Sequence, residues 1–165
     1  MATFSVKQTA FLVGAVAICL LAGFIGSLVT APAIPGWYAG LIKPALIPPS
    51  WVFAPVWTTL YILMGISLFL VIQTGTNSHE VRTALALFSV QLLLNVGWSF
   101  AFFGNQSPFS GFIVIVALWI VLLATVICFL RISRTAGLLL VPTLAWVSFA
   151  SYLNYAIMVL NSGTS

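Results

Sequence analysis

Long apolar stretches make up most of the chain, and the few charged side chains stand between them. These charges fall at Lys7, Lys43, Glu80, Arg82, Arg131 and Arg134. Each charge-free interval exceeds the ~20 residues that a helix needs to cross a bilayer, and the interval from 83 to 130 is about twice that length. A turn pattern at 104–108, Gly-Asn-Gln-Ser-Pro, divides that interval. The pattern predicts five transmembrane helices, at about 9–30, 51–73, 83–103, 108–130 and 135–160.

The composition supports this reading. Hydrophobic residues make up 62% of the chain and charged residues 4%, which leaves too few ionisable side chains to cover a soluble domain of this length. We therefore predict an all-α membrane protein, a single domain over 1–165 in which the five helices form a bundle. A cleaved signal peptide is the alternative for the first segment, but its apolar run is longer than the usual ~7–15 residues.

The cations predict the orientation of the bundle. With five spans, Lys7, Arg82 and the Arg131/Arg134 pair fall on one side and Lys43 on the other. The positive-inside rule then places the amino terminus in the cytoplasm and the carboxyl terminus outside. The net charge of +4 is explained by these boundary positions, so we expect no nucleic-acid partner. A bacterial cell membrane is favoured, with a bacterial or mitochondrial outer membrane as the alternative.

The connection over 31–50 is long and rich in proline, and we expect it to be irregular. Prolines at 32, 35, 44, 48 and 49 deny it a regular helix. It also holds Trp37, Tyr38 and Lys43. Such a segment is either a lid over the mouth of the bundle or a plain interfacial loop whose aromatic rings lie among lipid headgroups.

Polar and aromatic side chains recur on single helix faces. In the third span Gln91, Asn95, Trp98 and Phe102 lie on one face. Because amides are costly in lipid, Gln91 and Asn95 should point into the bundle, where they either bond a neighbouring helix or line a site.

Three other spans carry comparable faces. The fifth span has Pro142, Trp146, Ala150 and Asn154 at i+4 spacing, and the second has Trp57, Tyr61 and Gly65. The first span presents Ala15, Cys19, Ala22 and Gly26. Those small residues either permit close backbone contact or leave room for a flat ligand.

The order and spacing of these residues resemble a known family. The likeness starts with Trp37-Tyr38, Leu41, Lys43-Pro44, Pro48-Pro49, Trp51, Phe53, Pro55, Trp57 and Leu60-Tyr61. It continues through Gln91, Asn95, Trp98, Phe102-Phe103-Gly104, Pro142, Ala145-Trp146, Phe149-Ala150 and Leu153-Asn154. This pattern is similar to that of the translocator protein family, also called TspO, peripheral benzodiazepine receptor or tryptophan-rich sensory protein.

The resemblance implies a five-helix bundle, commonly a homodimer, with a cavity beneath the loop after the first helix. Members of the translocator protein family bind porphyrins and other tetrapyrroles, and sterols in some lineages. Some bacterial members degrade protoporphyrin in light through two tryptophans, which correspond by motif position to Trp57 and Trp146. The chain departs from the family at Leu46 and Thr143, where relatives carry aromatic residues. No basic residue follows Tyr155, so the sterol pattern of animal relatives is incomplete.

A tetrapyrrole is flat and largely apolar with acidic side arms, so its site needs aromatic faces and a few polar donors. Trp57, Trp98, Phe102 and Trp146 can supply faces, Asn95 and Asn154 donors, and Lys43 a cation at the mouth. The predicted ligand-binding residues are Trp37, Tyr38, Lys43, Trp51, Trp57, Tyr61, Gln91, Asn95, Trp98, Phe102, Trp146, Ala150 and Asn154. We expect no metal and no obligatory cofactor. His79 is predicted on the side opposite the mouth, so we do not expect it to ligate a haem iron in the cavity.

Glu80 is the sole acidic side chain, so a conventional acid–base enzyme is poorly supported. The function favoured by the sequence is a membrane receptor or sensor that binds tetrapyrroles (porphyrin, bilin or haem) and that could also translocate them. A light-dependent porphyrin-degrading enzyme, a lipid or sterol carrier and a ligand-free structural bundle are the alternatives.

Overall fold

A computed structural model describes residues 5–162. Five α-helices follow one another: α1 Val6–Ala33, α2 Ser50–Gln73, α3 His79–Ser99, α4 Pro108–Ile132 and α5 Arg134–Leu160. Each belongs to a helical segment long and apolar enough to cross a membrane. The prediction of an integral membrane protein built as a five-helix bundle is confirmed. The single-domain prediction extends to 1–4 and 163–165, which lie outside the described residues.

The predicted irregular segment 31–50 is wrong in its first part. Helix α1 continues through Pro32 to Ala33 and then widens into a π-helical turn, Ile34–Tyr38. A proline lacks an N–H and its ring crowds the preceding turn, and a wider turn relieves that crowding. Because two of the five prolines are accommodated in this way, the non-helical connection is reduced to 41–49. A second π-helical turn, Phe100–Gly104, extends α3 in the same direction.

Serine side chains begin four of the helices. Ser5, Ser78, Ser107 and Ser133 each accept a hydrogen bond from a backbone N–H in the first turn of the helix that follows. Such caps satisfy donors that have no partner inside the helix. The capped helix starts lie at the two ends of the bundle. We call the end with 41–49 and 105–107 the loop end, and the end with Arg82, Arg131 and Arg134 the arginine end.

The half of the bundle towards the arginine end is tightly packed. A Cβ on Gly65 would lie 2.5 Å from the Cα of Val16, so α1 and α2 are in backbone contact there. The Ser67 hydroxyl donates to the Ala136 carbonyl oxygen at 2.7 Å and joins α2 to α5. Fully buried side chains fill the remaining space, among them Met64, Leu122, Phe129 and Leu140.

Candidate ligand-binding site

A cavity of about 450 Å³ lies in the half of the bundle towards the loop end. This volume is within the usual range for small-molecule sites. Helices α1, α2, α3 and α5 and both π-helical turns contribute to its wall. The lining residues are Leu20, Gly23, Phe24, Gly26, Ser27, Thr30, Ala31, Ile34, Tyr38, Ser50, Phe53, Ala54, Trp57, Thr58, Tyr61, Asn95, Trp98, Ser99, Phe102, Phe103, Ala150, Leu153, Asn154 and Ile157.

Aromatic rings form two sides of this cavity. At the end of α3, the Trp98 ring stacks on the Phe102 ring of the second π-helical turn, with centroids 5.5 Å apart and planes at 26°. On α2, the Trp57 and Tyr61 rings lie 5.7 Å apart, tilted by 31°. Each pair comes from residues four positions apart on a helix, which places them one above the other. The cavity therefore offers large, flat apolar faces to a ligand.

Asn95 places a hydrogen-bond donor without a protein partner at the cavity wall. The Tyr61 hydroxyl donates to Asn95 Oδ1 at 2.9 Å, which orients the amide. Its Nδ2 is buried and has no hydrogen-bond partner, while the residue is 2% exposed. An unsatisfied buried donor costs roughly 1–3 kcal/mol. Because this nitrogen has almost no accessible surface, an acceptor atom of a ligand would reach it only after the amide turns towards the cavity.

Asn154, in contrast, has both ends of its amide engaged. Its Oδ1 accepts from Trp98 Nε1 at 3.0 Å, and its Nδ2 donates to the Pro108 carbonyl oxygen at 2.8 Å. Gly111 allows this arrangement, since a Cβ there would lie 2.9 Å from Asn154 Oδ1 and 2.6 Å from Phe102 Cδ2. Asn154 thus holds α3, α4 and α5 together and fixes the indole of Trp98.

The loop end of the cavity is closed by a packed cover. Trp37 and Tyr38 lie edge-on to Phe102, with centroids 5.4 and 6.3 Å apart. The following chain is fixed to α5, because Asn161 Oδ1 accepts from Ile42 N at 3.0 Å and Asn161 Nδ2 donates to Ile42 O at 2.9 Å. We call residues 34–49 the cover.

Lys43 stabilises this cover and does not line the cavity. Its ammonium group donates to the carbonyl oxygens of Ala39 and Leu41, both at 3.1 Å. It also lies 4.8 Å from the centroid of the Tyr38 ring. Lysine commonly serves free carbonyls at the end of a helix in this way. A ligand carboxylate would have to draw the ammonium group away from these bonds.

The structure brings together only some of the predicted site residues. Tyr38, Trp57, Tyr61, Asn95, Trp98, Phe102, Ala150 and Asn154 line the cavity. Trp51 is 74% exposed and Gln91 is fully buried, with its Nε2 3.7 Å from Met64 Sδ. Trp146 lies behind the wall, with its ring 5.9 Å from that of Phe53. Trp37, in the cover, also stays outside the lining.

Sequence reasoning singled out Gly26 on α1 but missed the other lining residues of that helix. Thr30 and Ile34 lie on the same helical face as Gly23 and Gly26. They were not predicted to line a site, because the first helix was expected to end near residue 30. Phe53 precedes Trp57 by four positions, and this spacing could have placed it in the site. Neither family departure reaches the lining, since Leu46 is 66% exposed and Thr143 is buried within α5.

His79 begins α3 at the arginine end, whereas the α3 residues of the cavity are Asn95 to Ser99, four or more helical turns away. Among residues 5–162, no group of three or more His, Cys, Asp or Glu side chains could hold a metal ion.

Comparison with known proteins assigns the chain to a family. The sequence model of the TspO/MBR family matches residues 15–160. The chain is 49% identical to the Tryptophan-rich protein TspO of Chlorobaculum tepidum over 155 residues, covering 94% of this chain and 98% of the relative. It is 44% identical to the Tryptophan-rich protein TspO of Archaeoglobus fulgidus, covering 92% and 97%. It is also 38% identical to the Translocator protein of Sus scrofa, covering 87% and 85%. The chain therefore belongs to the TspO/MBR family.

Proposed function

We propose that this membrane protein is a receptor or sensor that binds a tetrapyrrole in the cavity near the loop end. Family membership supports a receptor or sensor role in the membrane. The observation that carries the ligand class is the combination of flat aromatic walls with the unpaired Asn95 Nδ2. A planar, largely apolar macrocycle with acceptor nitrogens and carboxylates matches that combination.

The polar atoms of the cavity favour a ligand that accepts hydrogen bonds. Asn95 Nδ2 is a donor, and the Asn154 amide and the Trp98 indole are already engaged with each other. No ionisable side chain other than those of Tyr38 and Tyr61 is among the lining residues. Charged side arms of a porphyrin would therefore lie towards the loop end, with the macrocycle against the rings.

A titration with protoporphyrin, biliverdin and haem tests the proposal, and binding is measured from the absorbance of the pigment. Trp57→Phe should weaken protoporphyrin binding by about 3- to 10-fold, the range expected when part of a stacking surface is lost. Trp51→Phe is the matched control, because Trp51 is on the same helix but 74% exposed and outside the lining. Equal affinities in wild type and both variants, or no absorbance change with any pigment, would contradict the proposal.

A light-dependent breakdown of bound porphyrin is the second candidate, and the position of Trp57 favours it. The Trp57 ring lines the cavity, so an excited pigment would be in direct contact with it. Trp146 is not among the lining residues; its ring lies 5.9 Å from that of Phe53, which is. Illumination of the complex should therefore bleach the pigment more slowly in Trp57→Phe than in Trp146→Phe. Bleaching at the wild-type rate in both variants would remove this candidate.

A further inference from the structure

One side of the cavity consists of residues that are exposed on the lipid-facing surface. Phe24, which lines the cavity, is 59% exposed. Ser27 and Ala31 on α1 and Ala54 and Thr58 on α2 also line the cavity and are exposed. A residue that both lines a cavity and is exposed belongs to the rim of an opening. The rim therefore runs along two neighbouring transmembrane helices.

The packing of α1 against α2 explains why the opening lies there. Towards the arginine end the two helices are in contact at Val16 and Gly65, and again where the Tyr61 ring covers Gly23. Beyond Gly23 the cavity lies between them. The opening is thus bounded at one end by the Tyr61 ring and at the other by the cover.

Small and hydroxyl-bearing side chains keep this gap passable without exposing unsatisfied polar groups to lipid. Ser27 Oγ donates to the Phe24 carbonyl oxygen at 2.6 Å, and Thr58 Oγ1 donates to the Ala54 carbonyl oxygen at 2.8 Å. Because both hydroxyls are bonded within their own helices, an apolar molecule can pass them without competing for a hydrogen bond.

The direct route from the aqueous side is obstructed by the cover. Trp37 and Tyr38 pack against Phe102 and Phe103, and the paired hydrogen bonds between Ile42 and Asn161 hold the chain beyond them. A ligand arriving from water would have to break these contacts. A ligand already dissolved in the bilayer would meet only the rim.

From this geometry we propose that the cavity is loaded from the lipid bilayer, through a lateral portal between Phe24–Ala31 of α1 and Ser50–Thr58 of α2. The ligand that it admits is one that partitions into the membrane, such as a porphyrin in its bilayer-dissolved form. This inference rests on the proposed function and adds the route of access and the phase from which the ligand is drawn.

Two adjacent threonines of α2 provide a matched test. Thr58 and Thr59 are both exposed and each bonds the carbonyl oxygen four residues earlier, at 2.8 and 2.9 Å, but only Thr58 lines the cavity. Protoporphyrin dissolved in phosphatidylcholine vesicles is mixed with the reconstituted protein, and binding is followed in time. Thr58→Trp should slow both association and dissociation by ~10-fold or more, whereas Thr59→Trp should leave both rates within ~2-fold of wild type.

Reversible cross-links separate the portal from the cover without relying on a bulky substitution. One protein carries Ser27→Cys and Ala54→Cys, across the portal, and another carries Ile42→Cys and Asn161→Cys, across the cover. Both also carry Cys128→Ala, while Cys19 is retained because it is fully buried. Each pair is joined by a cleavable bifunctional maleimide. The portal cross-link should slow association with protoporphyrin until it is cleaved, and the cover cross-link should not.

Unchanged rates with the portal cross-linked, or blocked association with the cover cross-linked, would overturn the lateral route. Those outcomes leave equilibrium binding in the uncross-linked protein intact. Failure of the proposed function appears differently, as no binding of protoporphyrin at equilibrium in any form of the protein, and it would remove both proposals together.

Discussion

Towards the arginine end the five helices fill the space between them with side chains, whereas towards the loop end four of them, α1, α2, α3 and α5, enclose a cavity. Gln91 and Asn95 show the contrast most clearly, since they lie one helical turn apart on the same face of α3. Each amide has one buried atom without a hydrogen-bond partner, but Gln91 packs next to Met64 away from the cavity, whereas Asn95 lines it. One hydrophobic pattern along a helix thus serves tight packing in one half and an open site in the other.

Side-chain size and backbone contact account for the difference. In the packed half, Gly65 brings α2 against Val16, and Gly137 brings α5 against Leu130. In the open half, the largest rings stack along the walls, with Trp98 against Phe102 and Trp57 against Tyr61. Rings stacked along the walls leave the middle of this half empty.

The largest expected effect is the loss of a packed ring in the arginine half. Phe129 is fully buried and stacks on Phe88 at 5.7 Å. Phe129→Ala should lower the free energy of unfolding by about 3–5 kcal/mol, because it leaves a cavity that the neighbours cannot fill. Phe109→Ala is the control, since Phe109 is 63% exposed. Denaturant titration in detergent measures both, and a comparable loss in the two variants would count against the division into two halves.

The contact between α1 and α2 at Val16 and Gly65 should be the next most sensitive to substitution. In Gly65→Ala the new Cβ would lie 2.5 Å from the Val16 Cα, so α1 and α2 must move apart. We expect a loss of about 1–3 kcal/mol in the free energy of unfolding. Gly97→Ala, on α3, meets nothing within 4 Å and should be neutral or stabilising by up to about 1 kcal/mol. Equal stability of the two variants would show that the α1–α2 contact is looser than described.

The smallest expected effect concerns haem. His79 lies at the arginine end, away from the cavity, so His79→Ala should leave the haem absorbance spectrum and affinity unchanged within error. A spectral change on haem binding that disappears in this variant would place the haem elsewhere than in the cavity.

Much of this fold could be predicted because charge and hydrophobic length are local properties. Helices α2 and α4 begin and end close to the expected positions, since proline, glycine or arginine marks each boundary. The course of α1 beyond residue 30 could not be predicted, because the π-helical turn that accommodates Pro35 depends on packing against Phe102 and Phe103.

For the candidate site, the sequence predicts which helix face a residue occupies but not whether that face borders the cavity. Spacing placed Asn95, Trp98 and Phe102 on one face, and these residues do line the cavity. Spacing alone could not separate Gln91 from Asn95, because the neighbouring helices decide which of the two faces a gap. The same limit applies to Trp146, which shares a face with Ala150 but packs beside Phe53 of α2 and does not line the cavity.

If the open half binds a tetrapyrrole and the packed half does not, the two amides of α3 should differ in their effect on binding. Protoporphyrin is titrated into Asn95→Leu and Gln91→Leu side by side. We predict that Asn95→Leu weakens binding by about 5- to 30-fold, the effect of losing one buried hydrogen bond, while Gln91→Leu leaves the affinity unchanged. Equal affinities in the two variants, or a larger loss in Gln91→Leu, would contradict binding of the tetrapyrrole in the open half.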